Sequence, residues 1–278
     1  MYGSSGYPGR ANGGNYRGAS GIGYAAAQKF IAAGMNVVIA DRDQDALEVA
    51  ENELDGNVLA VSTDVSSLSE VEALRDAVMD RFGGLAILMN NAGTGGGGGA
   101  FASHKGWQKV LGVNLWGVVH GLQTFTQLMI DQGEPCAIIN TGSKQGITNP
   151  PGDAAYNVSK AGIRSVTESL AHELRNIDGC RVTAHLLVPE FTYTGLIKRH
   201  VSEKPVAAWE PDEVADFMLE KIGKDEFYII CPDNDVTASV DNARMLWNTN
   251  DIVESRPALS RWHKDYGAAF AAYMKDVT

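Results

Sequence analysis

Short apolar runs recur along the chain, and several are closed by polar or acidic residues: Met35 to Ala40 before Asp41-Arg42-Asp43, Gly56 to Thr63 before Asp64-Val65, and Leu85 to Met89 before Asn90-Asn91-Ala92-Gly93. Ala137 to Asn140, Arg181 to Val188 and Glu226 to Ile230 are further runs of the same kind. Continuous rather than alternating apolar runs of this length predict strands buried on both faces. Between them apolar residues fall at helical spacing, as at Leu68, Val71, Leu74, Val78 and Phe82, and along one long stretch from about Lys105 to Met129. Helices are also predicted from Gly18 to Ala33, from Ala154 to about Ile177 and from Pro211 to Ile222. Strands alternating with helices predict an α/β fold: a doubly wound, mostly parallel sheet with helices on both faces and ligands at the carboxyl ends of the strands.

The two ends depart from this pattern. Residues 1–17 are Gly-rich and almost without aliphatic side chains, which predicts a disordered leader. The first strand of a doubly wound sheet is central and buried on both faces, and nothing before Gly18 supplies the aliphatic run it calls for. The expectation is therefore that this strand is absent and that residues 1–17 arise from an altered start or a shifted reading frame. After residue 232, Leu246-Trp247, Leu259, Trp262, Tyr266, Phe270 and Tyr273 predict amphipathic helices covering the domain or a neighbouring subunit. The resulting division is an atypical leader, 1–17, a dinucleotide-binding and catalytic domain, 18–232, and a helical C-terminal extension, 233–278.

At 278 residues the chain can bury one substantial core. A net charge of −11 argues against a nucleic-acid partner. No apolar run approaches bilayer length and no charged, apolar leader opens the chain, so a cytoplasmic protein without a membrane partner is expected. Cys136, Cys180 and Cys231 form no Cys-x-x-Cys pair, and His172-Glu173 is not part of a His-Glu-x-x-His box. Neither a disulfide framework nor a metal site is indicated.

Candidate chemistry gathers between Ile138 and Lys160. Ser143 falls just past a predicted strand, and Tyr156 and Lys160, four residues apart on a predicted helix, share a face about 6 Å apart along the axis. A phenol, with a pKa of about 10, moves protons poorly at neutral pH unless its anion is stabilised, and an ammonium one turn away does that. A serine hydroxyl beside it holds a carbonyl or alcohol oxygen, giving a site that moves a proton while a hydride moves elsewhere. Gly18-Ala19-Ser20-Gly21-Ile22-Gly23 opens a helix as a phosphate cradle would. Asp41, some twenty residues on, stands where a ribose diol of NAD is bound and a 2′-phosphate repelled, with Arg42 offsetting part of that repulsion. Read alone, Asp41 also suits the N-cap of the next helix.

Together these residues resemble the short-chain dehydrogenase/reductase family, of the shorter single-domain type with a Rossmann-like sheet, over residues 18 to about 232. Gly18, Ser20, Gly21, Ile22 and Gly23 look like its cofactor loop, Asp64 and Val65 like its adenine-side pair, and Asn91, Ala92 and Gly93 like part of its strand-four signature. Pro189 and Thr194 resemble its nicotinamide contacts, and Asn114, Ser143, Tyr156 and Lys160 its catalytic four. The resemblance implies an oxidoreductase interconverting a secondary alcohol and a ketone, with NAD(H) preferred and NADP(H) open, assembled as a homodimer or homotetramer. In it the tyrosine is the general acid or base, the lysine lowers its pKa and binds the nicotinamide ribose, the serine holds the substrate oxygen, and the asparagine supports a water relay. Two departures stand out: Tyr16-Arg17 replaces Thr-Gly before the glycine loop, and Pro189-Glu190 replaces Pro-Gly. They leave room for a rival reading, a catalytically silent binding or structural subunit. A serine hydrolase is excluded, because Gly18-Ala19-Ser20-Gly21-Ile22 lacks the last glycine of a nucleophile elbow.

Overall fold

The structure, a computed structural model, describes the backbone of residues 12–16 together with residues 18–195, 201 and 203–275. The strands are β1 (Asn12–Tyr16), β2 (Asn36–Asp41), β3 (Val58–Ser62), β4 (Ile87–Asn90), β5 (Cys136–Thr141), β6 (Val182–Val188) and β7 (Tyr228–Ile230). All seven lie parallel in one sheet, in the order β3-β2-β1-β4-β5-β6-β7. The helices are α1 (Gly21–Ala32), α2 (Gln44–Glu53), α3 (Leu68–Phe82), α4 (His104–Leu111), α5 (Gly117–Asp131), α6 (Gln145–Thr148), α7 (Ala154–Arg175), α8 (Pro211–Ile222), α9 (Ala238–Val253) and α10 (Gly267–Lys275).

Successive strand residues point to opposite faces and feed separate cores. Val38, Leu88, Ile138 and Leu186 join the core under α3, α5 and α7, while Val37, Ile39, Met89, Ile139 and Leu187 join the one under α1, α2 and α8. Burial on both faces explains why these strands read as continuous apolar runs.

The first strand is the main correction. Asn12–Tyr16 occupies the centre of the sheet, with Gly13 paired to Val37 on one side and to Ile87 on the other. Residues 12–16 are therefore not a leader outside the fold, the first strand is present, and the sheet domain begins before Gly18. A parallel ladder is made by backbone N–H and C=O groups, which Asn and Gly carry as fully as Val does; what such a sequence lacks is strand propensity. Residues 1–11 and the Arg17 departure lie outside the described residues.

The predicted helix from Lys105 to Met129 is interrupted. A π-helical turn, Gly112–Trp116, separates α4 from α5 and carries Asn114. In the extension, Trp247 of α9 is buried against the rings of Phe270 and Tyr273, at centroid distances of 5.2 and 5.1 Å. Asn248 donates to the Ile147 carbonyl at 3.1 Å, so α9 lies against α6 of its own chain. Among the described residues, no helix is long and apolar enough to cross a membrane.

Candidate active site

A cleft of about 860 Å³ opens at the carboxyl ends of the strands, where the order reverses between β1 and β4. Of the predicted residues it is lined by Ser20, Gly21, Ile22, Asn91, Gly93, Ser143, Tyr156, Lys160, Pro189 and Thr194. Gly18, Gly23, Asp41, Arg42, Asp64, Val65, Ala92 and Asn114 stand outside its lining.

At the cofactor end, Ser20 is the N-cap of α1 but its side chain makes no capping bond, and the start of a helix favours an anion. Gly21 has φ +58°, and a Cβ there would come within 3.3 Å of the Thr194 methyl, so chain turn and Thr194 close together over the helix start. A Cβ on Gly18 would meet Ile39 at 2.7 Å, so only glycine lets the turn sit against β2. Asp41 ends β2, and Asp43 rather than Asp41 caps α2, accepting from the Ala46 N–H at 3.2 Å. Burial alone would raise the Asp64 carboxyl, but hydrogen bonds from the Ser66 hydroxyl and N–H, aided by Arg42, hold it below the usual carboxylate range. Val65 is buried against Gly117, and its carbonyl is 2.9 Å from His120 Nδ1. An uncapped helix start, a glycine turn, acidic groups at the ends of β2 and β3 and a cleft at the switch point fit a dinucleotide.

At the chemical end, Tyr156 lines the cleft with Ser143; burial raises the phenol's pKa, Ser143 opposes the rise and Asp153 adds to it, so the net shift is upward. Lys160 is buried; its ammonium donates to the Thr141 carbonyl at 2.8 Å and stands 5.6 Å from the centre of the Tyr156 ring. A Cβ on Gly93 would lie 3.7 Å from Lys160 Nζ and 3.8 Å from Asn114 Oδ1, ordinary contact distances that place this turn beside both side chains. Asn114 is fully buried. It accepts from the Thr94 N–H at 2.7 Å and donates to the Thr94 carbonyl at 2.9 Å and to Ser159 Oγ at 3.0 Å, tying β4's loop to α7. Thr141 Oγ1 donates to Asn91 Oδ1 at 3.1 Å, joining the ends of β4 and β5.

Two features escaped the sequence. Asp153 caps α7 through the Tyr156 N–H at 3.2 Å and accepts from Gly96 at 2.8 Å, pinning the glycine run to the helix that carries the phenol. An Asp just before the helix was a legible cap signal. Lys144, beside Ser143, forms ion pairs with both Glu190 and Asp241, partners that no local pattern announces. Among the described residues no cluster of His, Cys, Asp or Glu is fit to hold a metal ion.

The short chain dehydrogenase family profile matches residues 17–205. The 1-deoxy-11-beta-hydroxypentalenate dehydrogenase of Streptomyces exfoliatus is 31% identical over 220 residues, which cover 76% of this chain and 79% of that protein. The 3beta-hydroxysteroid dehydrogenase 2 of Eggerthella lenta is 33% identical over 197 residues, 68% of this chain and 75% of its own. A crystal structure of a short chain dehydrogenase/reductase from Burkholderia phymatum in complex with NAD is similar with a TM-score of 0.80 at 33% identity, covering 89% of this chain and 95% of that one. With sheet order, switch-point cleft and sequence all in agreement, the chain belongs to the short-chain dehydrogenase family and is an oxidoreductase that works with a nicotinamide cofactor.

Proposed function

We propose that the protein interconverts a secondary alcohol and a ketone with NAD(H), Tyr156 acting as general acid and base. The observation that carries this reading is the gathering of Ser143, Tyr156 and Lys160 on one cleft, with the Lys160 ammonium 5.6 Å from the centre of the Tyr156 ring. A bound nicotinamide supplies the two-electron hydride acceptor or donor. In the oxidising direction the Ser143 hydroxyl holds the alcohol oxygen, and the alcohol's proton passes to the Tyr156 phenolate as the carbonyl forms. In reduction the neutral phenol returns that proton to the carbonyl oxygen. Burial, which keeps the phenol protonated, favours the second direction near neutral pH. Lys160 would bind the nicotinamide ribose, and Asn114 supports a proton relay by fixing Thr94 and Ser159. Pro189 and Thr194 would contact the nicotinamide, and the N–H groups at Ser20 to Gly23 the phosphates. Gly18 lets that turn approach β2. Asp64, Val65 and the Asn91-Ala92-Gly93 turn flank the adenosine side.

The preference for NAD(H) rests on Asp41, whose carboxylate repels a 2′-phosphate; Arg42 works against it, and the complex of the Burkholderia relative with NAD agrees with this choice. We place the enzyme in the cytoplasm as a homodimer or homotetramer. The exposed Trp116, next to α5, and Val158 on α7 offer apolar ground for such packing on the two helical segments that carry Asn114 and Tyr156. Tyr156→Phe should lower turnover by roughly 10²- to 10⁴-fold while NAD affinity, measured by titration, stays within a factor of two or so. Wild-type turnover in the Phe variant would sink the assignment. Parallel titrations should give tighter binding of NADH than of NADPH, and the reverse order would refute the role of Asp41. An absence of any nicotinamide binding would favour a silent subunit.

A further inference from the structure

Lys144 follows Ser143 beyond the end of β5, and two carboxylates from distant parts of the chain share its ammonium: Glu190, just after β6, and Asp241, in the first turn of α9. The group is largely shut off from water, with side-chain exposures of 12% for Lys144, 21% for Glu190 and 5% for Asp241. Lys144 and Glu190 line the cleft with Ser143 and Tyr156, whereas Asp241 does not. The Lys144 ammonium therefore stands between two carboxylates, one belonging to the site and one to the extension, and the Asp241 carboxylate also pairs with Arg244 at 3.8 Å.

An ammonium already shared by two carboxylates has little charge to give a third, and a substrate carboxylate arriving there would meet Glu190 at close range. Of the other lysines on the cleft, Lys160 is buried and donates to the Thr141 carbonyl and Lys109 is exposed at the rim, while the Asp153 carboxylate is spent on two backbone N–H groups. Glu190 differs: among the described residues its carboxylate has a single ion-pair partner, Lys144. Burial raises its pKa to about 7; Lys144 and Arg244 oppose the rise while Asp241 and Asp233 add to it, and Arg261 also lies within reach of its charge. A group so placed gains from a donor brought by a ligand.

We propose that Glu190 is a specificity-determining residue that accepts a hydrogen bond from a second donor group on the substrate, so that the enzyme takes diols and amino alcohols and rejects hydroxy acids. Asp241 is the positioning residue: it keeps the Lys144 ammonium from a substrate carboxylate and so brings the C-terminal extension into the choice of substrate. This rests on the oxidoreductase reading above.

The test uses four matched probes, cyclohexanol, 1,2-cyclohexanediol, 2-aminocyclohexanol and 2-hydroxycyclohexanecarboxylate, with NAD⁺ reduction as the readout and competitive binding for any probe not turned over. In the wild type the diol and the amino alcohol should exceed cyclohexanol in kcat/KM, and the hydroxy acid should be poorest. Glu190→Gln should reduce the amino alcohol to hydroxy acid ratio by at least about tenfold, since like charges placed together cost several kcal/mol. Asp241→Asn should improve the hydroxy acid through KM rather than kcat, and Asp241→Glu should restore the wild-type order, a rescue that a merely structural role would not give. A wild type that prefers the hydroxy acid, a ratio unmoved by Glu190→Gln, or failure of all four probes to bind while NAD still does would overturn the proposal alone. Loss of NAD binding in the wild type would overturn the oxidoreductase reading with it.

Discussion

The two halves of the sheet solve the same packing problem with different means. In the half that leads to Ser143, β5 buries all six of its residues and stands between β4 and β6. In the cofactor half, β1 is Asn-Gly-Gly-Asn-Tyr, and the apolar contribution comes from its neighbour β2, where Val37, Val38, Ile39 and Ala40 are each at most 1% exposed, and from the closely packed Ala25, Ala26, Ala27 and Phe30 of α1. A parallel ladder thus accepts a central strand without aliphatic side chains when flanking strands and helices supply both cores. Stability should accordingly be concentrated in the half to which the proton transfer is assigned, and the half assigned to the cofactor should be the looser one.

Three measurements break or sharpen this contrast. Replacing Asn12–Tyr16 by aliphatic residues and Tyr16-Arg17 by Thr-Gly, in separate variants, has the largest expected effect. Each side chain that becomes fully buried adds about 1.5 to 3 kcal/mol, so the aliphatic variant should melt higher and, with its glycine turn better anchored, bind NAD more tightly. An unchanged melting temperature and NAD affinity would mean that the polar strand is as good a centre as an apolar one. Next, Ile139→Ala in β5 should cost about 2 to 5 kcal/mol in urea unfolding, because its neighbours are fully buried on that face and cannot collapse into the space. A loss below about 1 kcal/mol would place the weight elsewhere.

The smallest effect concerns Glu190, whose carboxyl is raised from 4.5 to about 7. Below pH 4.5 it is protonated both folded and unfolded. Between 4.5 and 7 the folded protein keeps a proton that the unfolded chain has lost, so its contribution to stability falls as pH rises, and above about 7 the loss is complete. Wild-type stability minus that of Glu190→Gln should therefore decline across this window, by at most roughly 3 kcal/mol. A flat difference would show that the carboxyl titrates normally.

The strands at 36–41, 58–62, 87–90, 136–141, 182–188 and 228–230 were legible because a strand buried on both faces needs an uninterrupted apolar run. The grouping of Ser143, Tyr156 and Lys160 was legible for a related reason: a strand end and a four-residue helical step fix geometry locally. β1 was not, since its pairing lies in the backbone and leaves no mark in the side chains. Nor was the π turn at Asn114, because one added residue scarcely disturbs a helical period over so apolar a stretch. Lys144 and Asp241 are 97 positions apart, and a charge among charges carries no sign of its partner.

That separation also has a meaning in time. Domains fold from the amino end as the chain emerges, at about 5 to 20 residues per second. The strands of the sheet and the Ser143, Tyr156 and Lys160 side chains are all synthesised before Asp241. Until α9 leaves the ribosome, Lys144 has only Glu190 to hold, and the wall beside Ser143 carries a different balance of charge from that of the finished protein. The extension is thus the step in synthesis at which a folded sheet acquires the selectivity of an enzyme.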